Sequence, residues 1–355
     1  MIRVLVADDS PTARALLVGI FASDPAFSVV GEAASGDDAV EMAESLAPDL
    51  VTMDIHMPGI DGLEATKQIM MRSPRPIIIV SSTVRTDEIE QSLEATRAGA
   101  LIALPKPEGP SSASFDADRR SLLSMARAMS GVKVVRRHGA GIRSVRTPAE
   151  GVPSTRRSGS APVDHTVRVV AIGASTGGPA ALRDILAQLP RSFPVPIFIV
   201  QHIARGFTAG LAHWLDADTS LRVKVAELGE AAVPGRVYVA AEDRQLGCRV
   251  DAAGAIRIAL DLAPPIGAFR PSASYLFQSC AEAVGAGVLA VILTGMGDDG
   301  VSGLRVVCQR GGRVIAQDET SSVIYGMPRE AVRAGVVDSI VGLEGIPRRL
   351  LELTS

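Results

Sequence analysis

The sequence predicts two α/β units in tandem, each built on a parallel, doubly wound sheet, joined by a polar tether. Three observations carry this expectation. The 355 residues, 47% of them hydrophobic, suffice for two separate cores. Short apolar runs rich in β-branched residues alternate with segments of helical character over residues 1–129, and again over 166–355. Between these blocks, within residues 130–165, the stretch from Gly131 to Val163 loses all periodicity and fills with glycine, serine, proline and arginine.

Bulk composition excludes several classes. With 36 basic and 39 acidic residues there is no global charge signature of a nucleic-acid binder, and no nucleic-acid partner is expected. Cys248, Cys280 and Cys308 are few, far apart and odd in number, which argues against a disulfide framework or a Cys-rich zinc site and for a reducing compartment. Acids interrupt the opening run Met1 to Asp9 too early for a signal peptide, and no apolar stretch is long enough to span a bilayer. A soluble, cytoplasmic chain without direct membrane insertion is expected.

In the first unit, Ile2–Ala7 reads as a buried strand with Asp8-Asp9 at its carboxyl end, and Ser10-Pro11 as a helix start. Further strands are predicted at Ser28–Glu32, Leu50–Asp54, Ile77–Ser81 and Ala100–Leu104. Helices are predicted at Asp37–Leu46, Leu63–Met71, Thr86–Ala98 and Phe115–Met129. Ligands of such sheets gather at strand carboxyl ends, which brings Asp8, Asp9, Asp54, Ser81 and Lys106 together. Three converging carboxylates repel unless a hard cation joins them, and Mg²⁺ suits an all-oxygen pocket. The set is competent for phosphoryl transfer to a carboxylate, with Lys106 pairing to the transferred group. Any one of these acids alone is more simply a solvated loop residue or a helix cap.

The motifs Asp8-Asp9, Met53-Asp54-Ile55-His56-Met57-Pro58-Gly59-Ile60-Asp61-Gly62, Ser81-Ser82 and Lys106-Pro107 resemble the response-regulator receiver pattern. That resemblance implies a flavodoxin-like receiver domain with a five-stranded parallel sheet over residues 1–129. It implies Asp54 as phosphoryl acceptor, Asp8, Asp9, Asp54 and the His56 backbone carbonyl as holders of Mg²⁺, and Ser81 and Lys106 as the switch pair. The His56 side chain is then expected to be exposed. One departure stands out: Ala103 occupies a place where the family often has a switching aromatic ring.

In the tether, Lys133, Arg136, Arg137, Arg143, Arg146, Arg156 and Arg157 are opposed only by Glu150. Such a composition buries too little apolar surface to offset the entropy of ordering, so a mobile, solvated linker is expected.

The second unit opens with a strand at Thr166–Ala171, a turn at Ile172–Gly178 and a helix at Pro179–Leu189. Gly173-Ala174-Ser175-Thr176-Gly177 matches G-x-S-x-G, in which small flanks let a sharp bend lift a serine hydroxyl above the sheet edge. A glycine-rich turn that packs a helix on a strand, or holds a phosphate, uses the same residues. Strand Val195–Gln201 delivers His202 at its end, and strand Gly287–Leu293 leads into Thr294–Gly300 with Asp298 and Asp299. Shorter strands are predicted at Val223–Ala226, Arg236–Ala241 and Arg313–Ala316, and a hairpin at Leu246–Val250 and Ala255–Leu260. Helices are expected at Gly206–Leu215, from the Ser272 cap to Val284, after the 294–300 loop, and at Pro328–Arg333 and Leu343–Leu353. Ser175, His202 and one aspartate of the 298–299 pair thus leave strand ends of one sheet, the layout of a nucleophile, a base and its orienting acid. Spacing does not decide between the two acids. The chain order Ser, His, Asp also differs from that of the α/β-hydrolases, so the elbow does not imply that fold.

Gly173–Pro179, Val200-Gln201-His202, Arg270-Pro271-Ser272, Leu293–Gly300, Ala316-Gln317-Asp318 and Gly326–Ala331 together resemble the chemotaxis protein-glutamate methylesterase family, CheB. The resemblance implies a doubly wound α/β methylesterase domain with a β-hairpin over residues 166–355, without a cofactor of its own. It places the catalytic aspartate on Asp299 and makes Thr176 and the Met296 backbone plausible oxyanion donors. The implied activity is phosphorylation-activated hydrolysis of glutamate methyl esters, with glutamine deamidation at the same site, in bacterial chemotaxis adaptation. The implied partners are the cytoplasmic helices of methyl-accepting chemoreceptors, as substrate, and a chemotaxis histidine kinase, as phosphodonor. With a tether between the units, the unmodified receiver is expected to cover the esterase cleft until Asp54 is phosphorylated. Two other classes fit the residues alone: a receiver-regulated serine hydrolase of another ester, and a phosphorylation-gated binding module.

Overall fold

The computed structural model describes residues 1–81, 86–132, 134 and 166–355, with backbone alone at 86–88. Apart from residues 131, 132 and 134, the expected mobile tether lies outside the described residues, as does Ser82. The described residues form two compact units, one within Met1–Ser144 and one within Val145–Ser355.

The first unit alternates strand and helix throughout: β1 (Ile2–Ala7), α1 (Pro11–Ala22), β2 (Phe27–Ala33), α2 (Gly36–Leu46), β3 (Leu50–Met53), α3 (Gly62–Arg72), β4 (Ile77–Ser81), α4 (Thr86–Ala98), β5 (Ile102–Pro105) and α5 (Phe115–Met129). Side-chain caps set the helix starts: Ser10 accepts from Ala13 N, Ser35 from Asp38 N and Asp61 from Glu64 N. The sheet is fully parallel in the order β2-β1-β3-β4-β5. β1, β3 and β4 are buried on both faces, which explains their unbroken apolar runs. β5 begins two residues later than the apolar run suggests. Ala100 N still bonds to Ala95 O of α4, and Leu101 N bonds to Ile77 O before the strand starts.

The second unit contains β6 (Val169–Ala174), α6 (Gly178–Leu186), β7 (Ile197–Gln201), α7 (Thr208–Ala217), β8 (Arg222–Val225), β9 (Arg236–Val239), β10 (Gln245–Val250), β11 (Ile256–Asp261), α8 (Ala273–Val284), β12 (Val288–Ile292), α9 (Val301–Gln309), β13 (Arg313–Gln317), α10 (Met327–Arg333), β14 (Ser339–Val341) and α11 (Ile346–Thr354). Its main sheet is parallel in the order β14-β13-β12-β6-β7-β9-β8, while β10 and β11 form a separate antiparallel hairpin. β6 sits in the middle, with β7 on one side and β12 on the other, so strand order reverses there. That reversal opens a crevice at the carboxyl ends.

Three sequence expectations shift. The opening strand runs Val169–Ala174, so Ile172, Gly173 and Ala174 are strand rather than turn. Gly173 serves close packing: a Cβ there would lie 2.7 Å from Ala273 Cβ and 3.1 Å from Phe277 Cζ of α8. The helix expected over Leu343–Leu353 is a 3₁₀ turn at Leu343–Gly345 followed by α11. The edge strand β14 was not predicted, because its three residues are half exposed and too short to show a period.

α8 packs on β6 and on the hairpin, and Leu276, Phe277 and Cys280 enter a core shared with Val169, Ala171, Ala290 and Ile292. Gly173→Ala is expected to push α8 outward and destabilise this unit by about 1–3 kcal/mol. The midpoint of urea unfolding, followed by tryptophan fluorescence from Trp214, measures it; an unchanged midpoint contradicts the close-packing role.

Candidate active site and phosphoryl-acceptor site

In the second unit, the ends of β6, β7 and β12 converge. Ser175 follows β6, and its N–H donates to Thr294 O at 3.0 Å. The turn closes through Gly178 N to Ser175 O at 2.8 Å, with Gly177 at φ +78° immediately before α6. His202 follows β7 and is tied back by its N–H to Ala174 O at 2.9 Å. Ser175 and His202 are therefore held by adjacent hydrogen-bonded strands, although the chain between them is long.

His202 Nε2 lies 2.8 Å from Asp299 Oδ2. Asp299 also accepts from Ser272 Oγ (2.7 Å), Ala273 N (2.7 Å), Ser274 N (3.0 Å) and Gly300 N (2.9 Å). Its carboxylate therefore caps the N-terminus of α8, where free N–H groups and the helix dipole favour an anion. Burial works against ionisation, but the bond and charge of His202 and the donors from Ser272 and Ser274 outweigh it, bringing the pKa from 3.8 down to about 2. Asp298 is exposed and outside this set. An ionised Asp299 takes the proton on Nε2, which fixes the imidazole tautomer and leaves Nδ1 as the basic nitrogen. Nδ1 is buried without a hydrogen-bond partner among the described residues. The template serine triad uses the two ring nitrogens in the opposite sense. Among the described residues no hydrogen bond joins Ser175 Oγ to His202, and such contacts commonly tighten only when substrate binds.

Phe269 stacks on the His202 ring, with centroids 4.0 Å apart and planes at 6°. Sequence reasoning missed it, since nothing local marks an aromatic residue in an irregular loop as the cover of a distant imidazole. Ser272 was legible only as a helix cap; its hydroxyl also serves Asp299. The expected oxyanion donors differ in setting: Thr176 is buried, whereas Met296 is 38% exposed at the rim. Neither backbone N–H has an acceptor among the described residues. Gly295 is pressed against the nucleophile, since a Cβ there would meet Ser175 Cβ at 2.6 Å as well as Met327 Sδ.

The first unit has its own site at the reversal between β1, β2 and β3. Asp8 and Asp54 are buried, Asp9 is exposed, and oxygen atoms of the three lie within 4.8 Å of one another. Lys106 Nζ is 2.8 Å from Asp54 Oδ2 and 3.0 Å from Asp8 Oδ2. Burial holds the Asp54 pKa above its ordinary range, against the pull of Lys106 and with added repulsion from Asp8. Burial would lower Lys106, but its bonds to Asp54 and Asp8 raise it, so the ammonium is firmly held. Asp8 Oδ2 is buried and, beyond the Lys106 ammonium at 3.0 Å, has no donor among the described residues, which leaves it lone-pair capacity for a cation. A hard divalent cation therefore fits this donor set. Ser81, at the end of β4, is fully buried, its hydroxyl has no partner among the described residues, and the His56 side chain is exposed. Ala103 is buried in β5.

The fold and sites define a two-domain signalling hydrolase class: a receiver-type sheet bearing an aspartate and lysine cluster, followed by a sheet bearing a serine, histidine and aspartate constellation. Residues 4–113 match the response regulator receiver domain, and residues 170–350 match CheB methylesterase. The chain belongs to the CheB methylesterase family. It is 52% identical over 352 residues to protein-glutamate methylesterase/protein-glutamine glutaminase 4 of Myxococcus xanthus, covering 98% of this chain and 96% of that protein. Identity to protein-glutamate methylesterase/protein-glutamine glutaminase 3 of Anaeromyxobacter dehalogenans is 46% over 350 residues, covering 99% and 98%. The crystal structure of the Thermotoga maritima CheB methylesterase catalytic domain aligns with a TM-score of 0.52 at 41% identity, over 53% of this chain and 99% of that one. No helix among the described residues is long and apolar enough to cross a membrane.

The depressed pKa of Asp299 has a definite sign for stability. Its folded value lies below its unfolded one, so the stabilisation is fully present above about pH 4 and lost as pH falls toward 2. Asp299→Asn should remove about 2 kcal/mol of this pH-dependent stability, seen as a flatter dependence of the unfolding free energy between about pH 4 and 2. An unchanged slope contradicts the role of the carboxylate as a buried anion.

Proposed function

We propose that the chain is a cytoplasmic, phosphorylation-activated serine esterase that hydrolyses glutamate methyl esters on the cytoplasmic helices of chemoreceptors, and deamidates glutamine side chains at the same site. Its parts are a receiver domain over residues 1–129, a linker over 130–165 and a catalytic domain over 166–355. The observation that carries this reading is the His202–Asp299 pair at the end of β7, beside the Ser175 turn at the end of β6. Full-length similarity to proteins named protein-glutamate methylesterase/protein-glutamine glutaminase supports the substrate class.

In this reading Ser175 Oγ attacks the ester carbonyl while His202 Nδ1 takes its proton. Negative charge gathers on the carbonyl oxygen and is met by the N–H groups of Thr176 and Met296. Asp299 stabilises the imidazolium in place. His202 then returns the proton to the departing methoxide, and methanol leaves. Water enters, gives a proton to His202 and attacks the glutamyl ester; collapse restores Ser175 and frees the carboxylate. With a glutamine side chain the same sequence releases ammonia.

In the receiver, the Asp54 carboxylate accepts a phosphoryl group from a chemotaxis histidine kinase. Asp8, Asp9, Asp54 and the His56 backbone carbonyl would hold Mg²⁺, which when bound offsets phosphate charge. Lys106 pairs with the new phosphoryl oxygens, and the Ser81 hydroxyl, without a partner among the described residues, turns to bond them. With Ala103 in β5, Ser81 moves without a neighbouring ring to follow it.

Methanol release from radiolabelled receptor membranes, with and without a small-molecule phosphodonor, tests this directly. Wild type should release methanol faster with the phosphodonor, Asp54→Asn should lose that response, and Ser175→Ala should release none in either condition. Retention of most activity by Ser175→Ala would sink the triad; equal stimulation of Asp54→Asn would sink the receiver control.

A further inference from the structure

The turn that carries Ser175 is held from below by two buried side chains outside the reacting set. Ser175 O accepts from Gln201 Nε2 at 2.8 Å and from Gly178 N at 2.8 Å. Thr176 O accepts from Thr294 Oγ1 at 2.9 Å. In a planar trans peptide the C=O and N–H point in opposite directions. Pinning the Ser175 and Thr176 carbonyls therefore turns the N–H groups of Thr176 and Gly177 away from the pins. Neither N–H has an acceptor among the described residues, at the start of a helix where free donors are available for an anion.

Both pins look selected for their donors. Gln201 is 5% exposed, and its Nε2 also donates to His202 O at 2.8 Å, so one amide ties nucleophile and base together. Its Oε1 is buried with no partner among the described residues. Exchanging oxygen and nitrogen would set Oε1 against two carbonyl oxygens, so the amide orientation follows from its surroundings. An unpartnered buried carbonyl is costly, and a residue present only for packing would avoid it. Thr294 is 1% exposed and engaged at every polar atom. Its N–H donates to Gln317 Oε1 at 2.8 Å, its carbonyl accepts from Ser175 N, and its hydroxyl accepts from Ile324 N at 2.9 Å while donating to Thr176 O. Gln317 is itself held by Ser321 O at 2.9 Å.

We infer that Gln201 and Thr294 are positioning residues that pin the two carbonyls of the nucleophile turn, so that the N–H of Thr176 faces the developing oxyanion and that of Gly177 joins it as a third donor beside Met296. The inference rests on the esterase reading above.

The test uses the full-length chain with a phosphodonor. Thr294→Val, which keeps the shape and loses the hydroxyl, and Gln201→Met should each lower kcat for methanol release about a hundredfold, with KM changed by less than about twofold. Thr294→Ser, which keeps the hydroxyl, should return kcat to within about threefold of wild type. Wild-type kcat in both Thr294→Val and Gln201→Met, or equal impairment of Thr294→Ser and Thr294→Val, overturns the inference. A second measurement needs no variant: Ser175 is labelled with a fluorophosphonate, whose tetrahedral oxygen stands in for the oxyanion as fluoride leaves. The amide protons of Thr176 and Gly177 should then move downfield, and unmoved resonances overturn the inference. A wild-type chain that neither forms the adduct nor releases methanol overturns the esterase reading instead, and the inference with it.

Discussion

The buried carboxylate of Asp299 is the interaction on which the catalytic unit depends. It joins three separate elements: the loop after β12, the N-terminus of α8 and the imidazole after β7. An anion in that position is stable because hydroxyl, backbone and imidazole donors replace water around it. The approach of α8 that supplies two of those donors is possible only where side chains are absent. Gly173 lets α8 lie on β6, and Gly303 lets α9 lie on α8, where a Cβ would meet Phe277 Cβ at 2.9 Å. Packing in the middle of the unit and charge at its edge are thus one constraint.

The two units solve a related problem with opposite electrostatics. Each buries an aspartate beside a reversal of strand order. Asp299 is surrounded by donors and its pKa falls; Asp54 faces another carboxylate and has few donors besides Lys106 and Ile55 N, so its pKa rises. A carboxylate that must orient an imidazole gains from being a settled anion. Asp54 is held by fewer donors, one on each oxygen, which leaves each oxygen further lone-pair capacity for a cation.

Ser175 and His202 are coordinated mainly through the backbone. Ser175, His202 and the Thr294–Gly300 loop hang from three neighbouring parallel strands, and side-chain amides and hydroxyls close the remaining gaps. Phe269 shields one face of the His202 ring, limiting its rotation and its access to water. The ring is thereby held with Nε2 on Asp299.

Much of this was legible in the amino-acid order alone. Alternating apolar runs and helix caps such as Ser10 and Ser272 mark nearly every element, because both sheets are parallel and buried on two faces. Strand ends carrying Asp8, Asp54, Ser175 and His202 were visible for the same reason. What the sequence could not carry were contacts between distant segments. Gly173 reads locally as a turn, yet it is a strand residue under a helix, and β14 is too short to show a period. The difference between Asp298 and Asp299, one exposed and one buried against α8, exists only once β12 and α8 are packed together. The stacking of Phe269, the sense of the His202 ring and the pins at Gln201 and Thr294 likewise arise from tertiary closure. Hydrogen bonds between residues far apart in the chain leave no periodic trace in it.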